Sequence, residues 1–230
     1  MKTIGIIGAM EEEVASIKAK MDVVSAKHIV GVDFYMGKMD GKSVVLVRSG
    51  IGKVNAAVCV QALTDLYGVD YIINVGVAGG LTKELEIGDI VVSTDCVQHD
   101  MDTTAFGDAP GVIPRMAESF FPADGELQRI AMQAGAEQSV TVVLGRIASG
   151  DQFVSDNAVK KRIFDQFKAK CVEMEGGAIA HACWLNKIPF IIIRAISDKA
   201  DEGANLSFEA FVLQAAQSSS AMVERMVQLM

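Results

Sequence analysis

Lysine and arginine gather nowhere beyond the triplet Lys160-Lys161-Arg162 in this 230-residue chain, and 21 basic residues stand against 29 acidic ones for a net charge of −8. Such a balance repels phosphate backbones and argues against a nucleic-acid partner. No stretch approaches the ~18 consecutive apolar residues of a membrane span. The apolar run of residues 1–10 is short and meets Glu11, Glu12 and Glu13 at once, without the length or small-residue cleavage site of a secretory leader. The four cysteines, Cys59, Cys96, Cys171 and Cys183, form no C-x-x-C pair. Their apolar surroundings suit buried free thiols in a reducing compartment, and a cytoplasmic location is expected. Of the three histidines, His28 and His99 lack ligand spacing, and His181 and Cys183 lie two apart on a predicted helix, where side chains diverge. No metal is expected.

Complete cofactor and nucleophile motifs are also missing. Gly50-Ile51-Gly52 is followed by Asn55 where a dinucleotide fingerprint needs its third glycine. Gly52-Lys53 precedes Val54 and lacks the upstream glycine of a P-loop, and no G-x-S-x-G occurs. No cofactor is expected, and acid–base chemistry falls to carboxylates.

What is present is a strong alternation of short apolar runs and longer helical patterns. Half of the residues are apolar, enough for a full core, and the length admits one large or two small domains. Strands are predicted over residues 3–8, 33–37, 43–48, 71–75, 89–94, 141–148 and 189–196. Helices are predicted over 11–20, 53–67, 125–136, 159–168, 175–186 and 208–227. Several strands read as continuous Val/Ile runs buried on both faces, as in parallel sheets. Asp40-Gly41 between two alternating segments reads as a hairpin turn. The expected fold is α/β, a single domain with a central mixed, mainly parallel β-sheet flanked by helices. No linker or repeat divides it, and only residues 100–122, holding three of the four prolines, form a long excursion of the kind usually tied to function.

Open α/β sheets bind ligands beyond the carboxyl ends of their strands. Five predicted strand ends there carry glycines, carboxylates or both: Gly8-Ala9-Met10-Glu11-Glu12-Glu13, Ser49-Gly50-Ile51-Gly52-Lys53, Gly76-Val77-Ala78-Gly79-Gly80, Ser149-Gly150-Asp151-Gln152-Phe153 and Arg194-Ala195-Ile196-Ser197-Asp198. The glycines serve either tight turns or ligand approach. Asp198 is either a turn or cap residue or, partly desolvated beside Ser197, a general acid. Glu173 and Glu175 are macrodipole partners of a helix start or acceptors for a ribose cis-diol. Glu11, Glu12 and Glu13 form a solvated helical turn or supply a base to water.

These segments, together with Val172-Glu173-Met174-Glu175, the loop Asp102-Thr103-Thr104-Ala105-Phe106-Gly107 and Leu206-Ser207-Phe208-Glu209-Ala210-Phe211, resemble in order and spacing the bacterial 5′-methylthioadenosine/S-adenosylhomocysteine nucleosidases over essentially the whole chain. The resemblance implies the nucleoside phosphorylase-like fold, a homodimer, and hydrolysis of an N-glycosidic bond to adenine and a 5-substituted ribose. It implies that Asp198, oriented by Ser197, protonates adenine N7, while Glu13, aided by Arg194, activates water. Glu175, beside Glu173, would take the ribose hydroxyls and Met174 the sugar. The backbone of Val154 would read the adenine edge, with Phe153 and Phe208 flanking base and tail. Met10, Ile51, Val77, Ala78 and Gly79 would line the pocket, and Phe106 and Pro114 would close the neighbouring subunit's site. Val77 departs from the serine frequent in the family, removing a hydroxyl near the attacking water or sugar. Rival readings are a purine nucleoside phosphorylase, for which Arg48, Lys53 and Arg194 are the candidate phosphate cations, an aminofutalosine hydrolase and a non-catalytic nucleoside sensor.

Overall fold

Two strands, β5 (Tyr71–Gly80) and β10 (Phe190–Asp198), are buried along almost their whole length. Both faces of each are covered by helices, so their sequences run apolar without alternating. The computed structural model describes residues 2–230. Among these, eight further strands surround that pair: β1 (Thr3–Gly8), β2 (Asp22–Ile29), β3 (Val32–Met39), β4 (Lys42–Arg48), β6 (Ile90–Gln98), β7 (Phe120–Pro122), β8 (Val142–Ser149) and β9 (Cys171–Glu173). Six α-helices pack on the sheet: α1 (Glu11–Ala19), α2 (Lys53–Tyr67), α3 (Gly125–Gly135), α4 (Asn157–Phe167), α5 (Gly176–Asn186) and α6 (Ala204–Leu229). None is long and apolar enough to cross a membrane.

The sheet is mixed, as expected, with parallel and antiparallel strand pairs in equal number. Parallel pairing joins β1 to β4 and β5, β5 to β10, and β8 to β6 and β9. Antiparallel pairing is as frequent, joining β2–β3, β3–β4, β5–β9, β6–β7 and β6–β10. Nor is the sheet simply open. The first half of β5 pairs with β1, while Gly79 and Gly80 at its end pair with β9. Since β10 pairs with both β5 and β6, the strands β5–β10–β6–β8–β9 close into a ring. The C-terminal ends of β5, β9 and β10 therefore converge.

Asp40 (φ +48°) and Gly41 (φ +77°) make the anticipated two-residue turn between β3 and β4, both left-handed as a type I′ turn demands. Strands β2, β7 and β9 were not anticipated. β2 is an edge strand exposed along its length, so no buried face imposes alternation on it, and β7 and β9 have only three residues each. One core layer packs α1, α3 and α6 on the sheet around Ile17, Ile130 and Met222. The opposite layer packs α2 and α5 around Leu63, Ile179 and Cys183. All four cysteines are free and buried.

Candidate active site

A cleft of ≈ 580 Å³ opens where the strand ends converge. The first carboxylate in it follows from helix geometry. Glu13 is the third residue of α1, so its side chain folds back over the helix start, where N–H groups lack helical partners. Its Oε2 accepts from Ala9 N at 2.7 Å and Met10 N at 3.0 Å, and its Oε1 from Val77 N at 3.1 Å. Burial pushes its pKa up, against the opposing pull of Arg194 and these three amides. Glu11 and Glu12 are exposed, and Glu11 pairs with Arg48 at 2.9 Å.

Asp198 stands across the ring at the end of β10, 2 % exposed. A bulge places it there: Ile196 pairs with Ala78 and Asp198 with the very next residue, Gly79. The extra residue, Ser197, breaks the alternation, so both Ser197 and Asp198 face the cleft. Ser197 Oγ donates to Asp198 Oδ2 at 2.9 Å and Ala200 N to Oδ1 at 2.8 Å. Ala200 adopts a left-handed φ of +51° to deliver that amide. A β-carbon at Gly79 would sit 2.8 Å from Asp198 Oδ1 and 2.9 Å from Ala200 Cβ, so only glycine fits beneath the carboxyl. Burial raises the Asp198 pKa against the pull of its two hydrogen bonds.

Between these two lies a cluster of carboxylates around one guanidinium. Glu173 Oε2 accepts from Gly176 N at 2.7 Å, Glu175 N at 3.1 Å and Arg194 Nε at 3.1 Å, and Ser149 Oγ donates to its Oε1. Against the cost of burial, Arg194 and these donors hold Glu173 below the usual carboxylate range. Glu175 Oε1 accepts from Gly52 N at 2.9 Å, and its Oε2 lies 3.6 Å from Arg194 Nη2. Burial and the charge of Glu173 push Glu175 up to about 8. Burial works against the charge of Arg194, but its carboxylate neighbours prevail and raise its pKa. Arg194 lies behind the cleft wall rather than on it, 1 % exposed and bonded to Glu173 and Asn74.

The remaining wall is largely apolar. Met10, Ile51, Val77, Ala78, Gly79 and Met174 line it, as do Phe153 and Val154 from the loop after β8. Phe208 of α6 meets Phe153 edge to face at 5.7 Å and 81°. Every residue expected in the pocket of this chain lines it except Arg194. Phe106 is 90 % exposed and Pro114 is exposed, and neither lines the cleft of its own chain. Ala9, Gln152 and Val172 line it without having been anticipated. Asn74, which holds Arg194, was also missed; it sits inside the apolar run of β5, where a buried polar residue was the available signal, whereas Ser149, which holds Glu173, stands at a strand end already marked in the sequence.

The phosphate cations weighed from sequence are already engaged: Arg48 with Glu11, Lys53 with Asp100 at 2.7 Å, and Arg194 with Glu173.

The Phosphorylase superfamily model matches residues 3–228. The chain is 44% identical to the 5′-methylthioadenosine/S-adenosylhomocysteine nucleosidase of Staphylococcus carnosus (strain TM300), over 97% of this chain and 98% of that one. Its structure is similar to that of the nucleosidase of the same name from Neisseria meningitidis in complex with methylthio-immucillin-A, with a TM-score of 0.97 and 42% identity over 100% of both chains. It is also similar to a futalosine hydrolase of Helicobacter pylori, with a TM-score of 0.95 and 37% identity over 100% of this chain and 98% of that one. The chain therefore belongs to the 5′-methylthioadenosine/S-adenosylhomocysteine nucleosidase family of the phosphorylase superfamily, and is an N-glycosyl hydrolase.

Proposed function

We propose that this chain, as one nucleosidase domain, hydrolyses 5′-methylthioadenosine, S-adenosylhomocysteine and 5′-deoxyadenosine to adenine and the 5-substituted ribose. The observation that carries this reading is the presence in one cleft of two buried carboxyls, Asp198 and Glu13, both pushed toward holding a proton by burial but differently supported. Adenine leaves poorly as an anion, so the bond breaks more readily once N7 is protonated. Asp198 is the acid: Asp201 adds to the pressure to keep its proton and outweighs the opposing pull of Lys160. Ser197 orients it. Glu13 is the base that positions water: three backbone N–H groups and the Arg194 charge favour its ionised form. Burial raises both carboxyls, but Arg194 and three amides oppose it at Glu13 while Asp201 reinforces it at Asp198, a difference of the kind that two-carboxyl hydrolysis of a sugar bond uses.

Cleavage builds positive charge on the ribose ring, which the surrounding carboxylates stabilise. Glu175, fixed by Gly52 N, accepts from the ribose hydroxyls beside Glu173, and Met174 packs on the sugar. The backbone of Val154 reads the adenine edge, and Phe153 and Phe208 flank the base and the thioalkyl tail. Met10, Ile51, Val77, Ala78 and Gly79 complete the walls, Val77 making its side apolar while its N–H still serves Glu13. In a homodimer in the cytoplasm, Phe106 and Pro114 close the partner's site; the exposure of Phe106, together with that of Ile51 and Val54, supports this arrangement.

Adenine release from methylthioadenosine, S-adenosylhomocysteine, 5′-deoxyadenosine and aminofutalosine, each with and without phosphate, tests the reading. The first three are expected to be cleaved at a rate independent of phosphate, yielding free sugar. Sugar 1-phosphate would assign a phosphorylase, turnover of aminofutalosine alone a futalosine-type hydrolase, and binding without turnover a sensor.

A further inference from the structure

Arg194 is held by a strut outside the motifs that name the site. Its Nε and Nη2 donate to Glu173, and Nη2 also donates to Asn74 Oδ1 at 2.6 Å. Both hydrogens of Nη2 are thereby used, while Nη1 is buried with no hydrogen-bond partner among the described residues. Asn74 lies in the middle of β5, 1 % exposed. Its Nδ2 donates to Ile7 O at 2.8 Å and Val75 O at 3.4 Å. With both amide hydrogens committed to strand carbonyls, Asn74 can offer only its oxygen to the guanidinium. A flipped amide would set N–H against N–H and oxygen against two carbonyls. Two residues along the same strand, a β-carbon at Gly76 would overlap Arg194 Nη1 and stand 2.5 Å from Glu13 Oε1. Gly76 thus borders both the unpartnered guanidinium nitrogen and the Glu13 carboxylate.

We propose that Asn74 and Gly76 are positioning residues that aim Arg194 Nη1 toward Glu13 for the hydrolytic step. Asn74 fixes the plane of the guanidinium, and Gly76 keeps clear the space into which Nη1 and Oε1 both point. A buried donor left unpaired is costly, and here the charge it carries is spent on Glu13, whose ionised form it favours. This inference rests on the reading of Glu13, aided by Arg194, as the base that activates water.

Steady-state adenine release from methylthioadenosine by Asn74→Ala, Gly76→Ala, Arg194→Met and the Asn74→Ala/Arg194→Met double variant tests it in the full chain. Each single change is expected to lower kcat on the order of 10- to 100-fold, the scale of a small misplacement in an assembled site. KM for the nucleoside should move less than about threefold, because the misplaced group acts through Glu13 and lies outside the cleft that takes the nucleoside. The double variant should be no slower than Arg194→Met alone, since both changes remove one interaction. Gly76→Ala displaces only the far ends of two side chains, so it remains a folded test even where Asn74→Ala does not fold. Native kcat in Gly76→Ala or in folded Asn74→Ala, a change in KM alone, or additive losses in the double variant would overturn the inference. Native kcat in Arg194→Met would instead remove the underlying reading of Arg194.

Discussion

Glu175→Gln should make the ligand-free protein more stable while weakening its hold on ribose. Glu175 is 6 % exposed, shares Arg194 with the better-placed Glu173, and has its pKa raised from 4.5 to about 8. A carboxyl raised on folding favours the fold below its unfolded pKa and loses that advantage as pH climbs toward the folded value. The native protein should thus lose stability relative to the variant from about pH 4.5 to pH 8: about 1 kcal/mol at pH 5 and roughly 3 kcal/mol at pH 7. Glutamine keeps an oxygen for Gly52 N, so the substitution removes the charge without orphaning that amide. For a chain of this size the gain at pH 7 corresponds to a rise in Tm of roughly 6–12 °C. Thermal denaturation of both proteins across pH 5–8.5, with binding of 5-methylthioribose measured alongside, is the assay. The stability curves should diverge with rising pH while the variant binds the sugar more weakly. Parallel curves, or a variant less stable at every pH, would refute the view that Glu175 is a strained carboxyl kept for the diol.

Glu13→Gln should lower kcat by about 10²–10⁴, the usual worth of a positioned acid or base. It should also lower Tm, because an amide cannot accept at both ends from the N–H groups of Ala9, Met10 and Val77; native kcat would move the base elsewhere. Phe153→Ala removes the edge contact with Phe208 and one wall of the cleft, so KM should rise about 10-fold with Tm little changed, Phe153 being 42 % exposed. Asp156→Ala removes the side chain that accepts from Val159 N at the start of α4 and should cost about 1 kcal/mol in denaturant titration with unaltered kcat.

Much of this architecture was legible in the chain because burial on both faces leaves an unmistakable mark. β1, β4, β5 and β10 announce themselves as Val/Ile runs, and Asp40-Gly41 can hardly be anything but a turn. β2 escaped notice because an exposed edge strand has no buried face to impose a period. The ring closure was hidden for a different reason: the pairing of Gly79 and Gly80 with a three-residue strand is a long-range choice that local pattern does not encode. At the site, glycines and carboxylates at strand ends marked Glu13, Glu175 and Asp198 as candidates. Their environments came only from the fold. The bulge that turns Ser197 and Asp198 to the same side, the left-handed Ala200 that supplies an amide to Asp198, and the single guanidinium shared by Glu173 and Glu175 depend on neighbours distant in sequence. Arg194 shows the limit most clearly, since its motif position suggests direct contact, whereas the structure sets it behind the wall.

Asp198→Asn tests the acid assignment most directly, by measuring methylthioadenosine binding and single-turnover adenine release in the same preparation. Asparagine preserves the shape of the side chain and an oxygen for Ala200 N, but has no acidic proton to give to the base. Binding should persist while the rate of adenine release falls by about 10²–10⁴. Release within about tenfold of the native rate would contradict Asp198 as the acid and with it the proposed division of labour in the cleft.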